Sequence, residues 1–91
     1  MPNKPTIAVV IPAFNEAASI GKVVAEIPKT VARIVVADNA STDGTAAAAQ
    51  KAGALVVHEA QKGYGYACLK ALDFLSADPP DVVVFLDGDY S

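Results

Sequence analysis

A continuous apolar run near the end of the chain, residues 82–86, leads directly into the triplet Asp87-Gly88-Asp89. An apolar run of this length is typical of a strand buried on both faces of a parallel sheet. Ligands of open α/β sheets bind just beyond the carboxyl ends of the strands, where the two acids are expected. Neighbouring carboxylates repel each other unless a cation lies between them, and their oxygens suit Mg²⁺ or Mn²⁺. The triplet therefore predicts a metal-assisted site for a phosphorylated ligand, with a solvated Asp-Gly turn as the equally weighted alternative.

Three shorter apolar runs precede this one, and a helical pattern follows each of them. The predicted strands cover residues 6–11, 33–37, 54–58 and 82–86. The predicted helices cover about 15–27, with Asn15 as N-cap, then 45–52 and 66–75. Pro12 is expected to end the first strand, and Pro28 the first helix. The alternation predicts a Rossmann-like α/β fold: a parallel sheet with right-handed crossovers in three α/β/α layers.

The composition of the chain limits the partners that it is expected to bind and the cellular compartment in which it is expected. The 91 residues suffice for one small domain, and the net charge of -3 argues against a nucleic-acid partner. The hydrophobic fraction of 53% is high, and a core face left uncovered would explain part of it. No apolar run is long enough to span a membrane. Cys68 is the single cysteine, which excludes an internal disulfide and is typical of a reducing cytoplasm.

The loops that follow the strands are expected to gather acids at one edge of the sheet. These acids are Glu16, Asp38, Asp43, Glu59, Asp87 and Asp89. Taken singly, Glu16 is better explained by a helix dipole, Asp43 by a helix cap, and the loop cation Lys62 by solvation. For Asp38, Asp87 and Asp89 together a functional role is favoured. His58 is interpreted as a strand-end residue and Cys68 as a small core residue. Fingerprints of dinucleotide-binding, P-loop and serine-hydrolase sites are absent.

Four stretches of the chain resemble the family 2 glycosyltransferases, which have the GT-A fold. They are residues 10–16 (VIPAFNE), residues 38–45 (DNASTDGT), Lys62-Gly63, and Asp87-Gly88-Asp89. They occur in the family's order and at its spacing, and they span nearly the whole chain. Within the family the chain is most similar to the dolichyl- and polyprenyl-phosphate sugar synthases and their bacterial relatives.

The resemblance implies roles for individual residues. Asp38 would accept a hydrogen bond from the base of a UDP- or GDP-sugar, and Asp87 and Asp89 would bind Mg²⁺ or Mn²⁺ on its diphosphate. The residues implied to contact the nucleotide-sugar are Pro12, Ala13, Glu16, Asp38, Ser41, Lys62, Gly63, Asp87 and Gly88. The implied reaction is inverting transfer of the sugar to an acceptor hydroxyl or a lipid phosphate such as polyprenyl phosphate. A cytoplasmic protein acting at the inner face of the membrane is implied as well.

One departure from the family concerns the second half of its domain. The chain ends two residues after Asp89, whereas family members carry their acceptor site and catalytic base after this motif. We therefore expect residues 1–91 to be the donor-binding half of a partial transferase domain, inactive when isolated, with its catalytic residues unknown. Two alternatives stay open. One is a haloacid-dehalogenase-like phosphatase, whose Asp-x-Asp also follows an apolar strand. The other is a non-catalytic nucleotide- or metal-binding module.

Overall fold

Four parallel strands and three helices alternate in the computed structural model, which describes residues 4–88. The elements are β1 (Ile7–Ala13), α1 (Ile20–Ala25), β2 (Arg33–Asp38), α2 (Thr45–Lys51), β3 (Leu55–His58), α3 (Tyr64–Leu75) and β4 (Val82–Phe85). The strands form one sheet in the order β3-β2-β1-β4, and all neighbours are parallel. The predicted order of elements is confirmed. No helix within residues 4–88 is long and apolar enough to cross a membrane.

Strand β1 lies at the centre of the sheet and contributes side chains to two separate cores. Val9 and Ile11 pack with α1 and α2 on one face. Ala8 and Val10 pack with α3 on the opposite face. Because successive side chains of a strand point to opposite faces, a strand covered on both sides must be apolar at every position. This arrangement confirms the predicted three-layer α/β/α architecture.

Strand β1 continues past Pro12, contrary to the expectation that the proline ends it. The strand reaches Ala13, and Pro12 is paired with Ala37 of β2. Leu86 N–H donates to Val10 O, so the main-chain polar groups of Val10, and of Pro12 two residues later, face β4. Pairing with β4 ends at Val10. The N–H group that proline lacks therefore has no ladder partner to lose, and the strand can continue.

Helix α1 is shorter than predicted and begins at Ile20 instead of near Asn15. Asn15 adopts a left-handed conformation with φ of 52°, and its Oδ1 accepts the Thr42 N–H at 2.8 Å. The N–H groups of Ser19 and Ile20 both donate to Glu16 O, which closes a turn before the helix. A side chain bonded to the next loop cannot cap its own helix, so the N-cap prediction for Asn15 was wrong.

Strand β4 was predicted to be buried on both faces, and that prediction was wrong. Val82, Val84 and Phe85 are 43%, 39% and 44% exposed. β4 is an edge strand, and Val83, its one partly buried residue, packs against the α3 core. The face that carries Val84 is the face of Val9, where α1 and α2 cover the inner strands. The apolar run therefore reflects a surface that residues 4–88 leave uncovered.

Candidate functional site

A cavity of about 390 Å³ opens at the carboxyl edge of the sheet. Its lining comes from the ends of β1, β2 and β4 and from the start of α3: Pro12, Ala13, Phe14, Glu16, Asn39, Tyr64, Asp87 and Gly88. The chain passes from β1 to β2 on one side and enters β4 on the other, so the cavity lies where the strand order reverses. Crevices at such reversal points are the usual ligand sites of open α/β sheets. Five predicted site residues meet here: Pro12, Ala13, Glu16, Asp87 and Gly88.

The acidic turn after β4 lies directly against β1. Asp87 is exposed in the cavity, whereas Gly88 is buried. A Cβ atom added at Gly88 would lie 3.3 Å from Ala13 Cβ and 3.4 Å from Glu16 Cγ. Such contacts are tighter than ordinary packing, so glycine lets the turn approach β1 closely. Asp89, the second acid of the predicted metal pair, lies outside the described residues.

Glu16 does not serve the dipole of α1, which was its simpler interpretation. The first turn of that helix contains no acidic residue, because the helix begins four residues later. The Glu16 main-chain N–H donates to Thr45 Oγ1 at 2.9 Å, and its carboxylate oxygen Oε2 lies 3.1 Å from the Ser19 hydroxyl oxygen. The Glu16 side chain is thereby held at the cavity that also contains Asp87.

Asp38 and Ser41 line a second cavity of about 250 Å³, with His58 and Glu59. Asp38 is only 6% exposed. Its Oδ1 accepts the Ser41 N–H at 3.3 Å, and its Oδ2 lies 3.4 Å from His58 Nδ1. His58 is the last residue of β3, as predicted. The structure thus places Asp38 and Ser41 beside the main cavity and not in its lining.

Asn39 lines the main cavity and was not among the predicted site residues. It is 7% exposed, and its amide nitrogen donates to Glu59 O at 3.1 Å and Gln61 O at 2.9 Å. Its Oδ1 accepts the Gly63 N–H at 2.9 Å. The sequence feature that could have identified Asn39 is a polar residue directly after the last residue of a buried strand. Asn39 therefore fastens the loop between β3 and α3 to the end of β2.

Replacement of Asn39 by alanine is expected to lower the free energy of unfolding by about 1–3 kcal/mol, because three main-chain groups lose a partner. Urea denaturation monitored by circular dichroism measures the free energy of unfolding. Gln61→Ala is the matched control, since the Gln61 side chain is exposed and only its main chain joins this network. Equal stability of the two variants would show that the loop does not depend on the Asn39 amide.

Lys62 and Gly63 belong to the loop that Asn39 holds. Lys62 Nζ lies 4.5 Å from the centre of the Phe14 ring, a cation–π contact that places its charge beside a cavity-lining side chain. Lys62 is exposed, as its interpretation as a solvated residue expects, and it contacts Phe14 in addition. Gly63 has φ of 143°, in the range that favours glycine. Neither residue lines the main cavity itself.

Tyr64, at the start of α3, lies in the lining close to Asp87. Desolvation raises the pKa of its hydroxyl, and the nearby Cys68 and Asp87 raise it further. The pKa of the Cys68 thiol is raised as well, mainly by burial. A phenol with an ordinary or raised pKa is protonated at neutral pH, so Tyr64 can act as a hydrogen-bond donor to a ligand.

The chemistry of the cavity suits a hard divalent cation. Glu16 and Asp87 both offer carboxylate oxygens, the donors that Mg²⁺ and Mn²⁺ prefer. Across residues 4–88, no three acidic, histidine or cysteine side chains are grouped closely enough to enclose an ion. An ion held by one or two carboxylates would therefore need further oxygens from water or a ligand phosphate, which is how Mg²⁺ is commonly bound.

Comparison with known proteins relates the chain to one family. The model of "Glycosyl transferase family 2" matches residues 8–91. An uncharacterized glycosyltransferase of Mycobacterium tuberculosis H37Rv is 42% identical over 85 residues, which cover 93% of this chain and 37% of that protein.

Solved structures of glucosyl-3-phosphoglycerate synthase from M. tuberculosis are similar over 93% of this chain. One, in complex with Mn²⁺, UDP-glucose and phosphoglyceric acid, matches with a TM-score of 0.80 at 36% identity and is covered over 33% of its length. Another, with Mg²⁺ and UDP, has a TM-score of 0.78 at 35% identity and is covered over 34%. The GT-A fold class implied by the sequence is confirmed. The chain spans about a third of the length of these relatives.

Proposed function

The chain belongs to glycosyl transferase family 2, and from that premise we propose that the cavity between β1 and β4 binds the diphosphate of a nucleotide-sugar donor. The observation that carries the proposal is the meeting of Asp87 and Gly88 with Pro12, Ala13 and Glu16 around one cavity. That cavity lies where the strand order reverses, the usual place for a nucleotide in such sheets. We propose that the whole protein transfers the donor's sugar to an acceptor.

The base of the nucleotide is assigned to the second cavity, beside Asp38. A carboxylate accepts a hydrogen bond from a ring N–H, and the Ser41 N–H already orients Asp38 Oδ1. Asn39 lines the main cavity and follows Asp38 directly, so base and diphosphate would lie on opposite sides of one strand end. We assign Lys62, whose ammonium lies beside the cavity-lining Phe14, to contact a phosphate oxygen.

The divalent ion is assigned to Asp87, with Asp89 as a further candidate from the sequence. When bound, such an ion acts as a Lewis acid that neutralises charge on the departing nucleoside diphosphate. The carboxylate of Asp87 supplies the charge that retains the ion. The Tyr64 hydroxyl, which lies in the same lining near Asp87, can donate to an oxygen of the donor.

A uridine donor is favoured over a guanosine donor, because the similar solved structures hold UDP or UDP-glucose. The solved structures also bear on the acceptor. One of those structures contains phosphoglyceric acid, a soluble phosphorylated acceptor. A lipid-phosphate acceptor, inverting stereochemistry, a location at the inner membrane face and the donor-half assignment of residues 1–91 stay predictions. Because the chain belongs to the transferase family, the phosphatase alternative is rejected.

Calorimetric titration of UDP and GDP into the 91-residue chain, with and without Mn²⁺, tests the proposal. We expect UDP to bind at least about tenfold more tightly with Mn²⁺ than without it, because Asp87 would hold an ion whose positive charge attracts the diphosphate. GDP is expected to bind more weakly than UDP. Absence of nucleotide binding by a chain whose circular dichroism shows it to be folded would reject the donor site. Tight binding without any metal effect would favour the non-catalytic module.

A further inference from the structure

Ser19 stands at the N-cap position of α1, yet its side chain makes no hydrogen bond to the first turn of that helix. Serine is favoured at N-caps because its oxygen accepts an otherwise unpaired N–H of the first turn. Here that local role is absent. The side chain instead makes its contacts outside α1.

The Ser19 hydroxyl connects the start of α1 to the acidic turn after β4. Its oxygen lies 2.8 Å from Gly88 O, 3.1 Å from Glu16 Oε2 and 3.4 Å from Glu16 O. A hydroxyl has one hydrogen to donate, and the shortest of the three contacts is the one to Gly88. This bond joins residues 69 positions apart in the chain.

The Gly88 carbonyl belongs to the peptide unit that joins Gly88 to Asp89. Asp87 is the residue directly before Gly88. Around Gly88, packing is close: an added Cβ would lie 3.3 Å from Ala13 Cβ and 3.4 Å from Ile20 Cδ1. Packing limits how near the turn can come to β1 and α1. A hydrogen bond is directional, so it also sets the orientation of the peptide unit.

We propose that Ser19 is a positioning residue for the acidic turn: by donating to Gly88 O, its hydroxyl holds Asp87 in the orientation that retains the divalent ion of the donor. This inference rests on the proposed function of the cavity. Ser19 does not line the cavity, so it acts through Gly88. Loss of one such hydrogen bond is expected to weaken Mn²⁺ binding roughly three- to tenfold.

The test compares the wild-type chain with Ser19→Ala, Ser19→Thr and Ser76→Ala. Threonine retains the hydroxyl, while Ser76 carries an exposed hydroxyl bonded to Asp73 O beyond the end of α3. Electron paramagnetic resonance of free Mn²⁺ at saturating UDP, corrected by the same titration of UDP without protein, gives the affinity of the chain for the ion. Hydrogen exchange of a peptide spanning residues 82–88, without metal or nucleotide, reports whether the turn is held.

Ser19→Ala is expected to bind Mn²⁺ more weakly and to exchange faster in this peptide, with its metal-free affinity for UDP unchanged. Ser19→Thr and Ser76→Ala are expected to stay within about twofold of the wild type. Unchanged exchange and Mn²⁺ affinity in Ser19→Ala would overturn the inference, as would an equal loss in Ser19→Thr. Faster exchange in Ser19→Ala combined with no Mn²⁺ binding by the wild type would instead overturn the proposed function and, with it, the link from Ser19 to the ion.

Discussion

Asp87→Asn is expected to weaken UDP binding in the presence of Mn²⁺ by at least about tenfold, which removes the gain in affinity expected from the ion. Loss of a residue that only supports a metal ligand costs 10- to 100-fold in affinity, so removal of a charged ligand should cost no less. Asparagine keeps the size of the side chain and removes its negative charge. Because Asp87 is exposed, the free energy of unfolding should change little. Calorimetry with and without Mn²⁺ measures the effect.

Asp73→Asn is the control for this change, since it removes another exposed carboxylate, which lies on α3 and not in the cavity lining. It should bind UDP and Mn²⁺ as the wild type does. If the two variants lose affinity equally, the effect is one of net charge on the chain and not of a ligand to the ion. If Asp87→Asn retains metal-dependent binding, the ion is held by other residues.

Ile11→Ala is expected to lower the free energy of unfolding by about 2–5 kcal/mol, the cost of emptying a well-packed aliphatic site. Ile11 is 0% exposed at the centre of the sheet and packs in the core beneath α1 and α2. Small domains bury less of their surface than large ones, and total stabilities lie near 5–15 kcal/mol. The substitution could therefore remove most of the stability of this chain. Urea denaturation monitored by circular dichroism is the measurement.

Two further variants keep this prediction testable if Ile11→Ala does not fold. Ile11→Val removes one methylene and should cost about 0.5–1.5 kcal/mol. Leu55→Ala shortens a side chain that is 44% exposed on the edge strand β3 and should cost less than Ile11→Ala. A cost for Leu55→Ala that equals or exceeds that of Ile11→Ala would show that β1 is not the centre of the core.

The succession of elements and the edge at which the acids gather could be predicted because both depend on local patterns. Apolar runs of strand length alternate with helical spacing, and parallel strands bring the loops that follow them to one edge. The family motifs could be found for a related reason. They lie in those same loops, so their order along the chain already predicted that Pro12, Glu16 and Asp87 would meet.

Tertiary packing decided the features that depend on partners distant in the chain. Pro12 continues β1 because β4 pairs no farther than Val10, and α1 begins late because Asn15 bonds Thr42 instead of capping it. No local pattern contains that information.

Which residues belong to the site likewise depended on the fold. Asn39 enters the cavity lining while Asp38, its neighbour, lies in the adjoining cavity, because successive residues at a strand end face opposite sides. Ser19 meets Gly88 across 69 positions of sequence. The amino-acid sequence alone predicted which loops form the site. Which side chains within those loops face the ligand depended on how the strands and helices pack together, since hydrogen bonds and packing between distant segments set their orientation.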